Sequence, residues 1–306
     1  MARKKSPSIA QRSYGCLLGS MSRFVRLLPA GIADQLGVFI GFLMRALLGK
    51  QRKRALANLK MCFPEWSDLK IKSTTKAVFQ HFGKTGIRFL RGTKLSAQQI
   101  IANTEINGFE EFEKALQLGK GAIYISAHFG NWEHNAQYLT ARLVPLDIVV
   151  RDANEESVSE IVNDVRRSKG IGVIPRGDAA RHVVKTLRQN HVVGILPDQN
   201  TYANFIPFFG FPAGTAIGPA VFHLKLGSPM LFGYCRELAN GKYRIEVKRL
   251  ELPTLEGTRE QNAIRIMEII NAEIEALIRL YPEQWLWIHD RWKSARLAGM
   301  LQEGQA

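Results

Sequence analysis

The stretch Gly121-Ala-Ile-Tyr-Ile-Ser-Ala127, followed at once by His128-Phe-Gly-Asn-Trp-Glu133, decides how this 306-residue chain is built. The first half is a short apolar run that begins at a glycine, which is typical of a strand buried on both faces of a parallel sheet. The second half holds polar residues and a glycine, and a helical pattern begins at Trp132. The stretch therefore predicts a strand, a turn and a helix, with His128 at the carboxyl end of the strand.

Strand and helix patterns alternate outward from this stretch as far as residue 227. Further strands are predicted at 146–150, 171–174, 191–196, 230–236 and 243–250. Helices are predicted at 50–65, 68–91, 110–118, 132–143, 155–168, 178–190, 216–226 and 259–280. Such alternation predicts an α/β fold, with a largely parallel central sheet that is flanked by helices on both faces.

Positive charge is concentrated at the amino-terminal end of the chain. The net charge is +15, and residues 1–60 contain twelve Lys or Arg against one acid, Asp34. A basic arm of this kind binds nucleic acid or anionic lipid. The arm is dense in apolar residues, and the chain has no zinc-finger spacing or RNA-binding signature, so we expect anionic lipid and no nucleic acid. A solvated basic face is the structural alternative.

Residues 27–49 form the segment that is most suited to a membrane. Their longest charge-free run is residues 35–44, which is ten residues, whereas a spanning helix needs about 20 apolar residues. We therefore expect an interfacial or tilted helix, with an ordinary core helix as the alternative. Residues 1–65 are interpreted as a basic, apolar, membrane-associated helical segment, and residues 66–306 as the α/β domain.

His128 and Glu133 form the pair that is most suited to catalysis. Ligands of open α/β sheets bind at the carboxyl ends of the strands, where His128 is predicted. Asn131 has the residue type of a helix N-cap, which puts Glu133 in the first helical turn, within reach of the imidazole. A histidine held by a carboxylate suits removal of a proton from a substrate hydroxyl. A core histidine before a helix-start glutamate is the alternative, and His134 is a weaker candidate.

Polar residues after the other predicted strands are candidates for substrate binding. Arg151 and Arg176 each follow a strand, and guanidinium groups suit the recognition of phosphate. Asp198 and Gln199 follow a third strand, where they are placed to position Arg176 or a sugar hydroxyl. Backbone N–H groups of the turn at Gly130 are placed to stabilise an oxyanion. Surface ion pairs for the arginines and a capping role for Asp198 are the alternatives.

Four sets of residues resemble, in the same order, the signatures of the late lipid A acyltransferases, the lauroyl and myristoyl transferase family. The matching stretches are Asn58-Leu59 within the basic helix, His128-Phe-Gly-Asn-Trp-Glu133, Leu196-Pro-Asp-Gln199 with Pro207-Phe-Phe-Gly-Phe-Pro212, and Pro282-Glu-Gln-Trp-Leu-Trp287 with Arg291-Trp292. Together they cover almost the whole chain. One departure is that the family often has Arg-Pro and Asn-Pro after the second strand, whereas this chain has Arg151-Asp-Ala-Asn154 without proline.

The resemblance implies a glycerolipid-acyltransferase-like fold and an enzyme on the cytoplasmic face of the bacterial inner membrane. The implied reaction transfers a fatty acyl group from a thioester, usually of acyl carrier protein, to a hydroxyl of a Kdo-bearing lipid A precursor. It implies neither a metal nor another cofactor. His128 would be the general base, oriented by Glu133, and no covalent acyl-enzyme would form. The implied substrate-binding residues are Asn131, Arg151, Arg176, Asp198 and Gln199.

Two aromatic groups lie within the matching stretches. Trp285, Trp287 and Trp292 suit a membrane interface, the wall of an acyl tunnel or a helix packed on the core. The phenylalanines of residues 205–211 suit a loop beside an acyl chain or an edge of the core.

Other function classes have less support from the sequence. The chain lacks the Gly-x-Ser-x-Gly of serine hydrolases, and Gly83-Lys-Thr85 lacks the earlier glycine of a phosphate-binding loop. The three cysteines are too far apart for a metal site or a disulfide framework. The alternatives left open are an acyltransferase that acts on another glycerolipid or on a mannolipid, and a non-enzymatic membrane-tethered binding protein.

Overall fold

A seven-stranded sheet lies at the centre of the molecule, and a two-stranded hairpin lies beside it. The computed structural model describes residues 20, 23–92, 94–150 and 156–301, apart from the side chains of residues 156–159, 161 and 176. The strands are β1 (Thr104–Asn107), β2 (Ala122–Ile125), β3 (Leu146–Val150), β4 (Gly172–Pro175), β5 (Val192–Ile195), β6 (Phe205–Phe208), β7 (Phe211–Gly214), β8 (Met230–Glu237) and β9 (Tyr243–Arg249). The helices are α1 (Ala30–Leu47), α2 (Gly49–Cys62), α3 (Asp68–Gly92), α4 (Ala97–Ala102), α5 (Glu110–Gln117), α6 (Trp132–Ala141), α7 (Glu156–Ser168), α8 (Ala179–Arg188), α9 (Gly218–Leu226), α10 (Arg259–Leu280) and α11 (Lys293–Leu297).

The strand order of the large sheet is β1-β9-β8-β2-β5-β3-β4. Strands β2, β3, β4, β5 and β8 run parallel to one another, whereas β9 runs antiparallel to β8, and β1 runs parallel to β9. The predicted α/β fold with a largely parallel sheet is therefore confirmed. The sequence patterns did not reveal β1, whose sequence Thr-Glu-Ile-Asn has a single apolar residue, or the β6–β7 hairpin, whose prolines are unusual within strands.

Helices cover both faces of the sheet, because its central strands are apolar on both sides. In β2, Ile123 and Ile125 face a core that includes residues of α8, α9 and α10, whereas Ala122 and Tyr124 face a second core beneath α5 and α6. Successive side chains of a strand point to opposite faces, so a continuous apolar run supplies both cores. The carboxyl ends of β2 and β5 lie side by side between these two layers.

Helix α1 packs closely against α3 and keeps an apolar face exposed. A Cβ atom on Gly41 of α1 would lie 2.3 Å from the carbonyl oxygen of Phe79 in α3, so only glycine permits this approach. Asp34 of α1 accepts hydrogen bonds of 2.7 and 2.5 Å from the guanidinium of Arg88 in α3. By length and composition alone, α1 is able to cross a membrane, and little of it is buried. Its exposed large apolar side chains are Ile32, Phe39, Phe42, Leu43 and Leu47.

Candidate active site

The carboxyl ends of β2 and β5 bring His128 and Asp198 together. The two strands are parallel neighbours, and Ile125 at the end of β2 is in register with Ile195 at the end of β5. His128 lies three residues beyond the first strand, and Asp198 lies three residues beyond the second. The register therefore continues past the sheet, so two residues that are 70 positions apart in the chain meet at its edge.

Asp198 holds His128 through both of its carboxylate oxygens. Its Oδ1 lies 2.8 Å from Nδ1 of the His128 ring, and its Oδ2 accepts a hydrogen bond of 2.9 Å from the His128 backbone N–H. Oδ2 also accepts a hydrogen bond of 2.9 Å from the indole N–H of Trp285. Asp198 is almost completely buried, while the His128 ring stays partly exposed. The imidazole is therefore fixed on one side and accessible on the other.

The charge of Asp198 decides which nitrogen of His128 carries the proton. Burial by itself would raise the pKa of Asp198, but attraction to His128 and the hydrogen bonds from the His128 ring, Trp285 and the His128 amide lower it overall. An ionised carboxylate only accepts hydrogen bonds, so Nδ1 of the ring is the donor. This leaves Nε2 unprotonated, and its lone pair accepts a hydrogen bond of 3.2 Å from the side-chain amide of Gln199. The arrangement suits a general base.

Glu133 lies in the same site but pairs with another residue. Its Oε2 accepts a hydrogen bond of 3.1 Å from Nε of Arg166 in α7, and its Oε1 accepts one of 3.2 Å from the indole of Trp132. The predicted contact of Glu133 with His128 is thus corrected, because the first turn of α6 turns this carboxylate toward α7 and Asp198 takes its place on the imidazole. A part for Glu133 in catalysis stays a prediction.

Asn131 is the N-cap of α6, as its residue type predicts. Its Oδ1 accepts a hydrogen bond of 3.0 Å from the backbone N–H of His134, and its Nδ2 donates one of 2.9 Å to the hydroxyl of Tyr243. The side chain is buried, and both of its polar atoms are used within the protein. Asn131 thus has a structural role, and the expectation that it binds substrate stays a prediction.

The backbone N–H groups of the turn are also used within the protein. The N–H of Gly130 donates a hydrogen bond of 2.8 Å to the carbonyl of Gln284, and that of Asn131 donates one of 3.0 Å to the carbonyl of Cys235. Gly130 has a φ of +56°, and a Cβ atom there would lie 1.9 Å from the Cys235 oxygen. The close packing of this turn explains the glycine, and it corrects the expected oxyanion role of these N–H groups.

His134 is a buried structural histidine. Its Nε2 lies 2.8 Å from the hydroxyl of Thr104, and its ring stacks on that of Tyr243 at a centroid distance of 4.1 Å. Burial, with a smaller contribution from the charge of Arg88, lowers the pKa of His134 to about 3. The ring is therefore neutral at physiological pH.

A cavity of about 670 Å³ opens beside His128. Its polar lining includes His128, Glu133, Arg166, Gln199 and His289. Its apolar lining comes largely from the central strands and from α6. These residues are Tyr124, Ala136, Leu146, Ile148, Val150 and Gly194. A cavity of this size with both polar and apolar lining is typical of a site for an amphipathic ligand.

Of the two candidate arginines that follow strands, Arg151 and Arg176, only the second has a described position. Arg151 lies outside the described residues. Arg176 begins a short 3-10 turn directly after β4, which is the edge strand, so its backbone lies at the carboxyl edge of the sheet, as predicted. Asp198 is also at that edge, but it holds His128 rather than Arg176. The binding role of both arginines stays a prediction.

The three tryptophans of the carboxyl-terminal stretches are all buried in the core, so they do not face a membrane. Trp285 stacks edge-on against Trp287 at a centroid distance of 4.7 Å, which fixes the indole that donates to Asp198. Of the phenylalanine group, Phe208 and Phe209 also lie in the core. These aromatic residues pack in the core that supports the site. The sequence alone did not distinguish this packing role from a membrane interface or the wall of an acyl tunnel.

Three further residues of the site were not predicted. Arg166 reaches the cavity from α7, and nothing in its helical surroundings signals this. His289 lines the cavity and accepts a hydrogen bond of 3.0 Å from the backbone N–H of Asn200, and burial lowers its pKa to about 4. Asn58 is buried in α2 and donates to the carbonyl oxygens of Trp287 and His289 at 3.0 and 3.2 Å. The resemblance of Asn58-Leu59 to the family signature was the one sequence signal for this supporting role of Asn58.

Comparison with known proteins identifies the family. The family model for bacterial lipid A biosynthesis acyltransferases matches residues 2–294. The chain belongs to this family. It is 26% identical over 288 residues to the lipid A biosynthesis palmitoleoyltransferase of Escherichia coli K12, with 90% of both chains covered. It is 22% identical over 284 residues to the myristoyltransferase of the same organism, with 90% of this chain and 86% of the relative covered.

A relative of another kind matches a shorter part of the chain. The phosphatidylinositol mannoside acyltransferase of Mycobacterium tuberculosis is 25% identical over 193 residues, which is 61% of this chain and 59% of the relative. The lipid A acyltransferases thus match a larger share of the chain. The protein is an acyltransferase of lipid A biosynthesis.

Proposed function

We propose that the protein transfers a fatty acyl group from the thioester of an acyl carrier protein to a hydroxyl of a Kdo-bearing lipid A precursor, with His128 as the general base. The observation that carries this proposal is the His128–Asp198 pair beside a cavity whose lining is partly polar and partly apolar. The pair supplies a base for a hydroxyl, and the apolar lining suits a fatty chain. Family membership supports lipid A as the setting of the reaction.

The reaction would proceed in two proton-transfer steps around one tetrahedral intermediate. Nε2 of His128 takes the proton of the acceptor hydroxyl while its oxygen attacks the thioester carbonyl carbon, and Asp198 stabilises the imidazolium that forms. The carbon–sulfur bond then breaks, and His128 returns the proton to the departing sulfur. The products are an ester and a free thiol. The amide of Gln199, 3.2 Å from Nε2, is placed to donate to the oxyanion.

A covalent acyl-enzyme is not part of this mechanism. The hydrogen-bond partners of the two His128 ring nitrogens are Asp198 and Gln199, so neither nitrogen activates a serine or cysteine in the described structure. Cys235 is fully buried, and burial raises the pKa of its thiol well above the ordinary value. The nucleophile is therefore the hydroxyl that the lipid brings to the site.

Arg166 is placed to recognise the charged part of the acceptor. Its guanidinium belongs to the polar lining of the cavity and is oriented by Glu133, with Nε 3.1 Å from the carboxylate. Guanidinium groups bind phosphate through several N–H donors, and lipid A precursors carry phosphate. Glu133 is on this account a positioning residue for Arg166. Arg151 and Arg176 are proposed to add to the same recognition from the ends of β3 and β4.

The protein is proposed to work at the cytoplasmic face of the inner membrane, with α1 as the contact. The apolar face of α1 points away from the protein, while Gly41 and Asp34 attach its other face to α3. A helix held in this way is suited to lie in the interface rather than to cross the bilayer alone. The adjoining α2 exposes Lys50, Lys53 and Lys60, which would favour anionic headgroups by about 1 kcal/mol each.

The experiment is acyl transfer by purified protein, with acyl carrier protein as the donor and a Kdo-bearing lipid A precursor as the acceptor, followed by mass spectrometry of the lipid. We expect His128→Gln to lower turnover by about 10²–10⁴-fold, as loss of a general base does. The matched control is His191→Gln, since His191 also lies beside an aspartate, with 3.3 Å between its Nδ1 and Oδ2 of Asp147, but precedes β5. It should retain wild-type turnover.

Two results would contradict the proposal. Wild-type turnover by His128→Gln would exclude His128 as the base. Transfer to a phosphatidylinositol mannoside, with none to the lipid A precursor, would move the acceptor to the class that the mycobacterial relative's name describes.

A further inference from the structure

A second cavity, of about 680 Å³, lies between α8 and α9. Its floor is apolar and is formed by Val184 of α8 with Val221 and Phe222 of α9. Cationic side chains surround this floor. They are Arg181, Lys185, Arg188 and Lys225. We name this feature the α8–α9 groove.

The cations of the α8–α9 groove outnumber the acids of its two helices. Neither α8 nor α9 contains an aspartate or glutamate, and Asp178, which precedes α8, lies 3.5 Å from the ring of His182. All four cations are exposed, and within the described residues none of them forms an ion pair. By contrast, the exposed Arg167 of α7 pairs with Asp164 on its own helix at 2.9 Å. The groove therefore presents a local positive potential around an apolar floor, which favours an acidic partner with an apolar side.

The α8–α9 groove and the catalytic cavity share α9. Pro219 in the first turn of α9 lines the catalytic cavity, whereas Phe222 and Lys225 line the groove. At a rise of about 1.5 Å per residue, the six residues from Pro219 to Lys225 span roughly 9 Å. A partner in the groove would thus stand close to the catalytic cavity and not against the membrane helix α1.

We infer that the α8–α9 groove is the docking surface for the acidic carrier protein that delivers the acyl thioester. This inference rests on the proposed function and extends it to a partner surface. An acidic, apolar-sided helix matches the groove in charge and in shape, because a concave apolar floor with a cationic rim suits a protruding helix. A flat bilayer would contact the rim alone and leave the floor uncovered.

The test compares two donors with the same acyl group, one on acyl carrier protein and one on pantetheine, which is small and uncharged. The variant is Arg181→Glu with Lys185→Glu, two exposed residues one helical turn apart. The matched control is Lys72→Glu with Lys76→Glu on α3, which has the same spacing and exposure. We expect the groove variant to raise the KM of the carrier-bound donor by about tenfold or more, and to remove its dependence on salt.

The same variant should leave the KM of the pantetheine donor unchanged, and the control should leave both values unchanged. Binding of the acyl carrier protein, measured by calorimetry without turnover, should weaken to the same extent in the groove variant only. An unchanged carrier KM, an equal change with both donors, or loss of binding to anionic vesicles in place of carrier binding would each overturn the docking surface. Absence of transfer from either donor by the wild type would instead overturn the proposed function, which separates the two failures.

Discussion

Two clusters of polar residues each include members of residues 128–134, and the structure uses them differently. The strand-end cluster, His128 with Asp198 and Gln199, lies beside the cavity and leaves one ring nitrogen unprotonated. The helix-start cluster is Asn131, Glu133 and His134 at the beginning of α6. Its side chains already have partners within the protein, in Tyr243, Arg166 and Thr104. The first cluster is suited to chemistry, and the second holds the scaffold and Arg166.

The comparison shows that spacing along the chain is a poor guide to which carboxylate serves a histidine. Glu133 is five residues from His128, yet its carboxylate turns to α7. Asp198 is 70 residues away, yet the parallel register of β2 and β5 places it 2.8 Å from the ring. At the edge of a parallel sheet, the residues that meet are those at equal distances past neighbouring strands.

The largest effect that separates the two clusters is expected from Asp198→Asn. The amide would no longer hold the proton on Nδ1 or stabilise the imidazolium, so turnover should fall by about 10³–10⁴-fold, as in serine proteases with the same change. Glu133→Gln should lower turnover by less than about tenfold, because His128 keeps its partner. The measurement is kcat for both variants under one set of conditions. A larger loss for Glu133→Gln would show that Glu133 serves the base once substrates are bound.

A smaller effect is expected from Trp285→Phe, which removes one hydrogen bond to Asp198 and keeps the aromatic packing. A hydrogen bond to a charged group contributes about 1.5–3 kcal/mol, so we expect kcat to fall by about 10-fold to 150-fold. Trp287→Phe is the control, because its indole donates to the carbonyl of Pro282 at 2.7 Å and not to the site. Equal losses of kcat in the two variants would show that the effect comes from packing alone.

The helix-start cluster should affect binding of the acceptor rather than turnover. Arg166→Gln removes the cation that Glu133 orients, and we expect the KM of a phosphorylated acceptor to rise by about threefold to tenfold while kcat changes little. Arg167→Gln, on the next position of α7 and paired with Asp164, is the control. A fall in kcat at unchanged KM would place Arg166 in the chemical step instead.

The smallest effect on activity is expected from His134→Gln, whose consequence is a change in acid stability. The folded-state pKa of His134 is about 3, below the ordinary 6.5. The unfolded chain therefore binds a proton that the folded chain does not, so stability is fully present above pH 6.5 and is lost as the pH falls toward 3.

The loss is about 1.4 kcal/mol per pH unit over this window. Denaturant unfolding at pH 6.5 and pH 5 should show a shallower loss for His134→Gln than for the wild type. Burial also lowers the pKa values of His81 and His289 to about 4. Because both histidines remain in the variant, part of the loss of stability with falling pH should persist. Equal slopes for the two proteins would contradict the neutral, structural role of His134.

Local patterns predicted the fold and half of the site. The apolar run before His128 predicted β2 and the strand-end position of the histidine, and Asn131 predicted the start of α6. Both depend on neighbouring residues only. Strand Leu146–Val150 and helix Arg259–Leu280 have the predicted bounds for the same reason.

The other half of the site depends on contacts between distant parts of the chain. The strands β3 and β4 follow β2 in sequence, but the sheet places β5 between β2 and β3, and this order brings Asp198 to His128. Trp285 reaches Asp198 only because the chain returns to the sheet after α10. Arg166 depends on how α7 packs. None of these contacts has a local sequence signal, so the sequence predicted the base without its partner.

The most direct test of the central claim is the protonation of the His128 ring, measured by nitrogen NMR of the protein labelled with ¹⁵N-histidine. The account predicts that the neutral ring carries its proton on Nδ1, with Nε2 unprotonated, in the wild type and equally in Glu133→Gln. In Asp198→Asn this preference should be lost. A proton on Nε2 in the wild type, or a preference that changes in Glu133→Gln and not in Asp198→Asn, would contradict the assignment of Asp198 as the residue that orients the base.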